Sequence, residues 1–132
     1  MKTVTVALKT PLVLDNTEMT DVTLRAYKAG DAAKARAFII RHKSYGPECV
    51  NDQLVLNLAV LRYVVLPPAH ILSFPPNWAE ELTGSDFSNV VDHLEALTQG
   101  FENVDAYRTH VQEMIKDAEA KLAEAANKPF LG

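Results

Sequence analysis

Apolar and polar residues alternate over the first part of the chain. Val4, Val6 and Leu8 fall on one face of an extended segment, because strand side chains point to opposite sides with period two, and Val22 and Leu24 repeat the pattern after the polar turn Asp15-Asn16-Thr17-Glu18. The pattern predicts a half-buried β-hairpin. Its connection is longer than a tight two-residue turn, so Leu12-Val13-Leu14 extends the first strand past Pro11, which then belongs at an edge or a bulge. Asn16 suits a left-handed turn position.

Beyond Gly30 the period changes to that of helices. Asp31 is a candidate cap for a first helix to about Lys43, with Ala35, Phe38 and Ile39 inward; Ser44-Tyr45-Gly46-Pro47 stops it. Asn51 or Asp52 caps a second, in which Leu54, Leu58, Leu61 and Val65 make the core stripe. Additional apolar residues around its circumference predict packing on two sides, or one side awaiting a partner. Pro67 and Pro68 end it. Between Pro67 and Pro76 the motif Ile71-Leu72-Ser73-Phe74 predicts one short helical turn, with Ile71, Leu72, Phe74 and Trp78 covering the core. Ser85 or Asp86 then caps a helix with the stripe Phe87, Val90, Val91, Leu94 and Leu97, closed by Gly100.

A last helix, from about Asn103 to Ala126, sets Val104, Tyr107, Val111, Met114, Ile115, Ala118, Leu122 and Ala125 on one seam. Such a seam reads first as intramolecular packing and second as a docking or homo-oligomer face. It follows a unit that looks complete at Gly100. The expected organisation is therefore a hairpin-plus-helices core over residues 1–100 and an amphipathic helix with a tail over residues 101–132. The partner-binding candidates are Tyr107, Val111, Met114, Ile115 and Leu122. The fold class expected is α+β, a hairpin packed on a bundle of four to five helices.

Composition narrows the picture. With 132 residues and 48% hydrophobic content, there is material for one core. No apolar run approaches the ~20 residues of a membrane span, and no signal-peptide pattern follows Met1, so a soluble cytoplasmic protein without a membrane partner is expected. The net charge of −4 argues against nucleic acid as main partner. From Arg25 to Lys43, however, six basic residues face Asp31 alone, which is either a solvated helix face or a basic patch.

The order of motifs resembles one family, the tail assembly chaperones of long-tailed bacteriophages. The resemblance rests on Leu8-Lys9-Thr10-Pro11 in the first strand, the turn Asp15-Asn16, Thr23-Leu24-Arg25 closing the second strand, and Gly30-Asp31 opening the first helix. Leu66-Pro67-Pro68 and the polar-capped Ser85-Asp86-Phe87 continue it, over roughly residues 3 to 97. It implies a protein of the host cytoplasm that binds the long, helical, hydrophobic tape-measure protein and keeps it soluble until tail-tube protein polymerises around it. The family habit of a backward ribosomal slip near the end of the short gene is compatible with Pro129-Phe130-Leu131, which can be encoded CCT-TTT-TTG.

The chemistry of an enzyme is missing from the pattern. Phosphate loops, dinucleotide fingerprints, nucleophile elbows and zinc-binding His-Glu-x-x-His are absent, so no catalytic residue, cofactor or metal is expected. His42, His70, His93 and His110 are scattered one per element. Cys49 lacks an orienting group beyond His42 and reads as an inert thiol, while Glu80-Glu81 and Asp92-His93 read as exposed positions. Two other functions compete: a structural tail or connector component of the virion, and a small nucleic-acid-binding regulator using residues 25–43.

Overall fold

A computed structural model describes residues 2–14, 16–42, 48–49, 52–68, 71 and 74–127. Strands β1 (Thr3–Leu14) and β2 (Thr17–Arg25) form the expected antiparallel hairpin, with Val6 opposite Val22 and Leu24 opposite Val4. Its inner face, including Val6, Leu12, Leu14, Met19, Val22 and Leu24, is buried in the core. The other face is mostly polar, with Val13 as an exposed apolar exception, and there the Thr5 and Thr23 hydroxyls meet at 2.9 Å across the strands. Asn16 takes the left-handed conformation at φ 60°.

The irregularity expected at Pro11 is present. Leu8, Lys9, Thr10 and Pro11 lie opposite Thr20 alone, between the pairs Ala7–Asp21 and Leu12–Met19. A bulge of this kind removes backbone amides from the ladder and requires another acceptor for them. Asp86 is that acceptor. Its two carboxylate oxygens take the Lys9 and Thr10 N–H groups at 2.9 and 3.0 Å. Asp86 is therefore 2% exposed and does not cap its helix. Thr83 does so instead, its hydroxyl accepting the Asp86 N–H at 3.2 Å at the start of α3 (Gly84–Gln99).

Helix α1 (Ala29–Arg41) begins two residues before the expected cap, and the capping position is Lys28. Asp31 sits in the first turn and reaches back. One oxygen accepts the Lys28 backbone N–H at 2.9 Å, and the carboxylate takes two hydrogen bonds from Arg25, at 2.8 and 2.9 Å. Arg25 also donates to the Tyr63 carbonyl at 2.7 Å, so one guanidinium joins the end of β2, the start of α1 and the end of α2 (Gln53–Val64). Lys43, the Ser44-Tyr45-Gly46-Pro47 stop and Asn51 lie outside the described residues; Asp52 caps α2 by accepting the Val55 N–H at 3.2 Å.

Two expectations about α2 are corrected. Val65 is not helical but begins a third strand, β3 (Val65–Leu66), which pairs antiparallel with β2 and gives the sheet order β1-β2-β3. Pro67 disfavours helical backbone at Leu66, so the helix ends before it, and Val65 is already extended at φ −70° and ψ 138° where the edge of β2 is open. Leu54 is 56% exposed, because α2 buries the arc Ala59, Val60, Leu61 and Val64 nearest to β3. The connection after β3 buries Ile71, Phe74 and Trp78 as expected, with Phe74 and Trp78 in a T-shaped contact at 5.5 Å. Leu72 and Ser73 lie outside the described residues, so the short turn expected around them is not placed. In this connection a 3-10 turn is described instead at Trp78–Glu81.

Helix α3 lays Val90 and Leu94 into the core and ends at Gly100, whose φ of 81° is the left-handed closing position that glycine adopts without a Cβ penalty. Helix α4 (Val104–Asn127) follows after Asn103, whose side chain accepts the Ala106 N–H at 2.8 Å. The described residues thus make a three-stranded antiparallel sheet and four α-helices, an α+β fold.

Candidate partner-binding site

The two halves of α4 are treated differently by the fold. The first is anchored to α3 mainly by polar contacts. Arg108 donates to Asp92 at 3.0 Å and to Asn89 at 2.7 Å, while Phe101 packs against Tyr107 and His110 at 5.6 and 5.2 Å between ring centroids. Val104, Tyr107, Arg108 and Val111 are half-buried. From Gln112 to Ala126 every residue is exposed, including Met114 at 58%, Ile115 at 51% and Leu122 at 70%. The seam expected from the sequence is therefore split. Tyr107 and Val111 rest against the body, and Met114, Ile115 and Leu122 stand in solvent on a helix that has left it.

This division follows from α3. Its apolar residues face the sheet, so α4 meets a side carrying Asn89 and Asp92, to which Arg108 binds but an Ile or Leu gains little. The continuing apolar stripe, Ile115, Ala118, Leu122 and Ala125, keeps spacings of three and four residues, the repeat by which one helix packs along another.

The basic segment is reduced by the fold. Arg25 is committed to Asp31, which holds the carboxyl below its ordinary range chiefly through the Arg25 hydrogen bonds. Lys28, Lys34, Arg36 and Arg41 are exposed, and Lys43 lies outside the described residues. The Arg62 guanidinium of α2 stacks 3.6 Å from the Phe38 ring centroid, beside a cavity of about 430 Å³ that His42 and Glu80 also line.

A second cavity, of about 380 Å³, was not foreseen. It collects Tyr27 from the link between β2 and α1, Gln53 and Asn57 from α2, Val91 and Glu95 from α3, and Tyr107 from α4. Burial first, and the Glu95 carboxylate second, raise both phenol pKa values above the ordinary tyrosine range. Glu95 accepts from the Gln99 side chain at 2.7 Å and forms no ion pair among the described residues. Nothing in the local sequence around Tyr27, Glu95 or Tyr107 marks them as neighbours, since they come from three separate elements.

The histidines do not converge. His42 packs on Phe38 at 4.9 Å between centroids, His93 donates from Nδ1 to the Asn89 carbonyl at 2.8 Å, and His110 lies on Phe101; His70 is outside the described residues. Asp92 and His93, expected to be exposed, are half-buried because Arg108 and the Asn89 carbonyl engage them. Cys49 packs half-buried against the core. Among the described residues no group of three or more His, Cys, Asp or Glu is placed to hold a metal ion, and no helix is long and apolar enough to cross a membrane. Comparison with protein-family models, with curated proteins and with solved structures gave no match to the chain.

Proposed function

We propose that the protein is a non-catalytic tail assembly chaperone that holds the tape-measure protein soluble through the outer half of α4. The observation that carries this reading is the placement of Met114, Ile115 and Leu122, three large apolar side chains more than half exposed on one helix that stands clear of its own domain. Single exposed apolar residues are ordinary; a row of them on one helix is the arrangement by which amphipathic helices engage a helical partner. The resemblance in motif order from Leu8-Lys9-Thr10-Pro11 to Ser85-Asp86-Phe87 supports the family, and a long helical tape-measure protein would offer apolar surface of the matching kind. Exchange of that surface for tail-tube protein needs no catalytic group.

Co-expression with the tape-measure protein of the same phage tests the proposal. The native chain is expected to bring it into the soluble fraction and to co-purify with it. A triple variant, Met114→Glu, Ile115→Glu and Leu122→Glu, should melt within a few degrees of the native protein, because exposed substitutions typically change stability by only about 0.5 kcal/mol. It should no longer retain the partner. Undiminished co-purification with the triple variant, or a tape-measure protein that stays insoluble beside the native chain, overturns the reading. Recovery of the chain from purified virions would assign it instead to the tail structure. Tight, steeply salt-dependent binding to duplex DNA would favour the regulator.

A further inference from the structure

The 380 Å³ cleft holds a carboxylate without a counter-charge. Glu95 is half-buried between elements, and the half-buried rings of Tyr27 and Tyr107 line the same space with the side chains of Gln53 and Asn57. A partly desolvated carboxylate is costly unless a cation or hydrogen-bond donors satisfy it, and Gln99 supplies the only donor recorded among the described residues. Arg36 lines an adjoining space of about 200 Å³ that Glu95 also borders, yet the two form no ion pair. Aromatic faces near an unpaired carboxylate attract cations twice over, through the ring quadrupole and through charge.

We infer that this cleft is a binding site for a cationic side chain of a protein partner, specifically an arginine, with Glu95 as its counter-charge and Tyr27 and Tyr107 as π-surfaces. Arginine fits better than lysine. Its flat guanidinium stacks on aromatic rings, is less strongly hydrated, and carries several donors that the Glu95 carboxylate and the Gln53 side-chain oxygen can accept together, Asn57 Oδ1 already taking the Gln53 amide at 2.9 Å. Lysine presents one compact, strongly hydrated charge. Any basic protein ligand offers this chemistry, whether or not the chain acts in tail assembly, and the site lies apart from the exposed apolar residues of α4.

The test is an amide NMR titration of the full chain with N-acetyl-arginine N-methylamide as the probe. N-acetyl-citrulline N-methylamide serves as its neutral counterpart and N-acetyl-lysine N-methylamide as the ammonium counterpart. The arginine compound should shift resonances of Tyr27, Asn57, Glu95 and Tyr107 saturably and bind about tenfold more tightly than citrulline, the scale expected of one cation–π contact plus a charge pair. Glu95→Gln should reduce that affinity about tenfold, while resonances away from the cleft stay in place and show that the fold is kept. Tyr27→Leu should weaken binding in the same direction, and Arg36→Gln should leave it unchanged or stronger by removing a competing cation. Equal response to citrulline, full affinity in Glu95→Gln, or no saturable shift overturns the inference. Tighter binding of the lysine compound overturns the assignment to arginine, and loss of binding in Arg36→Gln overturns Glu95 as the counter-charge.

Discussion

Leu24→Asp is expected to yield a chain that does not fold. Leu24 is 0% exposed, paired in register with Val4 on one side and Val65 on the other, in the strand shared by both halves of the sheet. A carboxylate there has no cation to meet. An uncompensated buried charge costs several kcal/mol, on the order of the 5–15 kcal/mol that holds a whole domain together. Leu24→Ala removes only packing and should cost about 2–5 kcal/mol, leaving a folded protein with a lower melting temperature. Thr3→Asp, on an exposed position of the same hairpin, should change little. Circular dichroism melts of the three variants decide the matter; a cooperative transition at the native temperature for Leu24→Asp would refute the placement of β2 at the centre of the sheet.

Removal of the Asp31 carboxylate should have the next largest effect. Asp31→Ala leaves the Arg25 guanidinium with the Tyr63 and Ala26 carbonyls but no counter-charge, and leaves the Lys28 N–H without its acceptor. Because Arg25 is partly open to water, at 22% side-chain exposure, the expected cost is about 2–4 kcal/mol, toward the lower end for a broken buried pair. The same contacts fix the acid response. Asp31 titrates below its ordinary 3.8 chiefly because of the Arg25 hydrogen bonds, and Asp86 does so chiefly because of the Lys9 and Thr10 amides. Groups with depressed folded-state pKa values stabilise the native state above their unfolded pKa. That contribution is lost as the pH falls from about 4 through the folded values. The melting temperature should therefore drop as acid is added below pH 4, and Asp31→Asn and Asp86→Asn should each flatten the drop. A variant that is as acid-sensitive as the native chain would rule out its carboxylate as a source.

How much of this was legible depended on whether the cause was local. The hairpin could be read because period-two alternation is written in adjacent residues, and the end of α3 because Gly100 marks a left-handed position by itself. The two residues of β3 are too few to show a period. Pro67 favours the extended form of Leu66, and the pairing comes from an edge supplied by residues 23 and 24. Asp31 and Asp86 both looked like caps, since a carboxylate before an apolar run usually is one. Asp31 does accept the Lys28 amide at the start of its helix but is also held by the Arg25 guanidinium, and Asp86 instead serves the bulge amides; both of these partners are brought by tertiary structure. The seam of α4 was visible as a period, but not its division into a resting half and a free half, which depends on the polar side that α3 presents. The cleft at Tyr27, Glu95 and Tyr107 had no signal at all, being assembled from residues up to 80 positions apart.

The late arrival of β3 in the chain bears on the order of folding. The hairpin closes locally, whereas β3 must return across α1 and α2 to reach β2, and a long closure of this kind costs entropy before it is rewarded by contacts. The sheet is therefore expected to be completed last at the β2 edge, with Arg25, which reaches Tyr63 at the end of α2, as the latch of that late step. In a mutational analysis of folding rates, Val22 should show its native contacts largely formed at the barrier, and Val65 should show them formed afterwards; the reverse order would contradict it. The finished sheet covers the outer edge of β2 only at Thr23 and Leu24. Glu18 and Asp21, both exposed further along that strand, place charge where a second chain would otherwise pair, so the edge is guarded both before and after β3 docks.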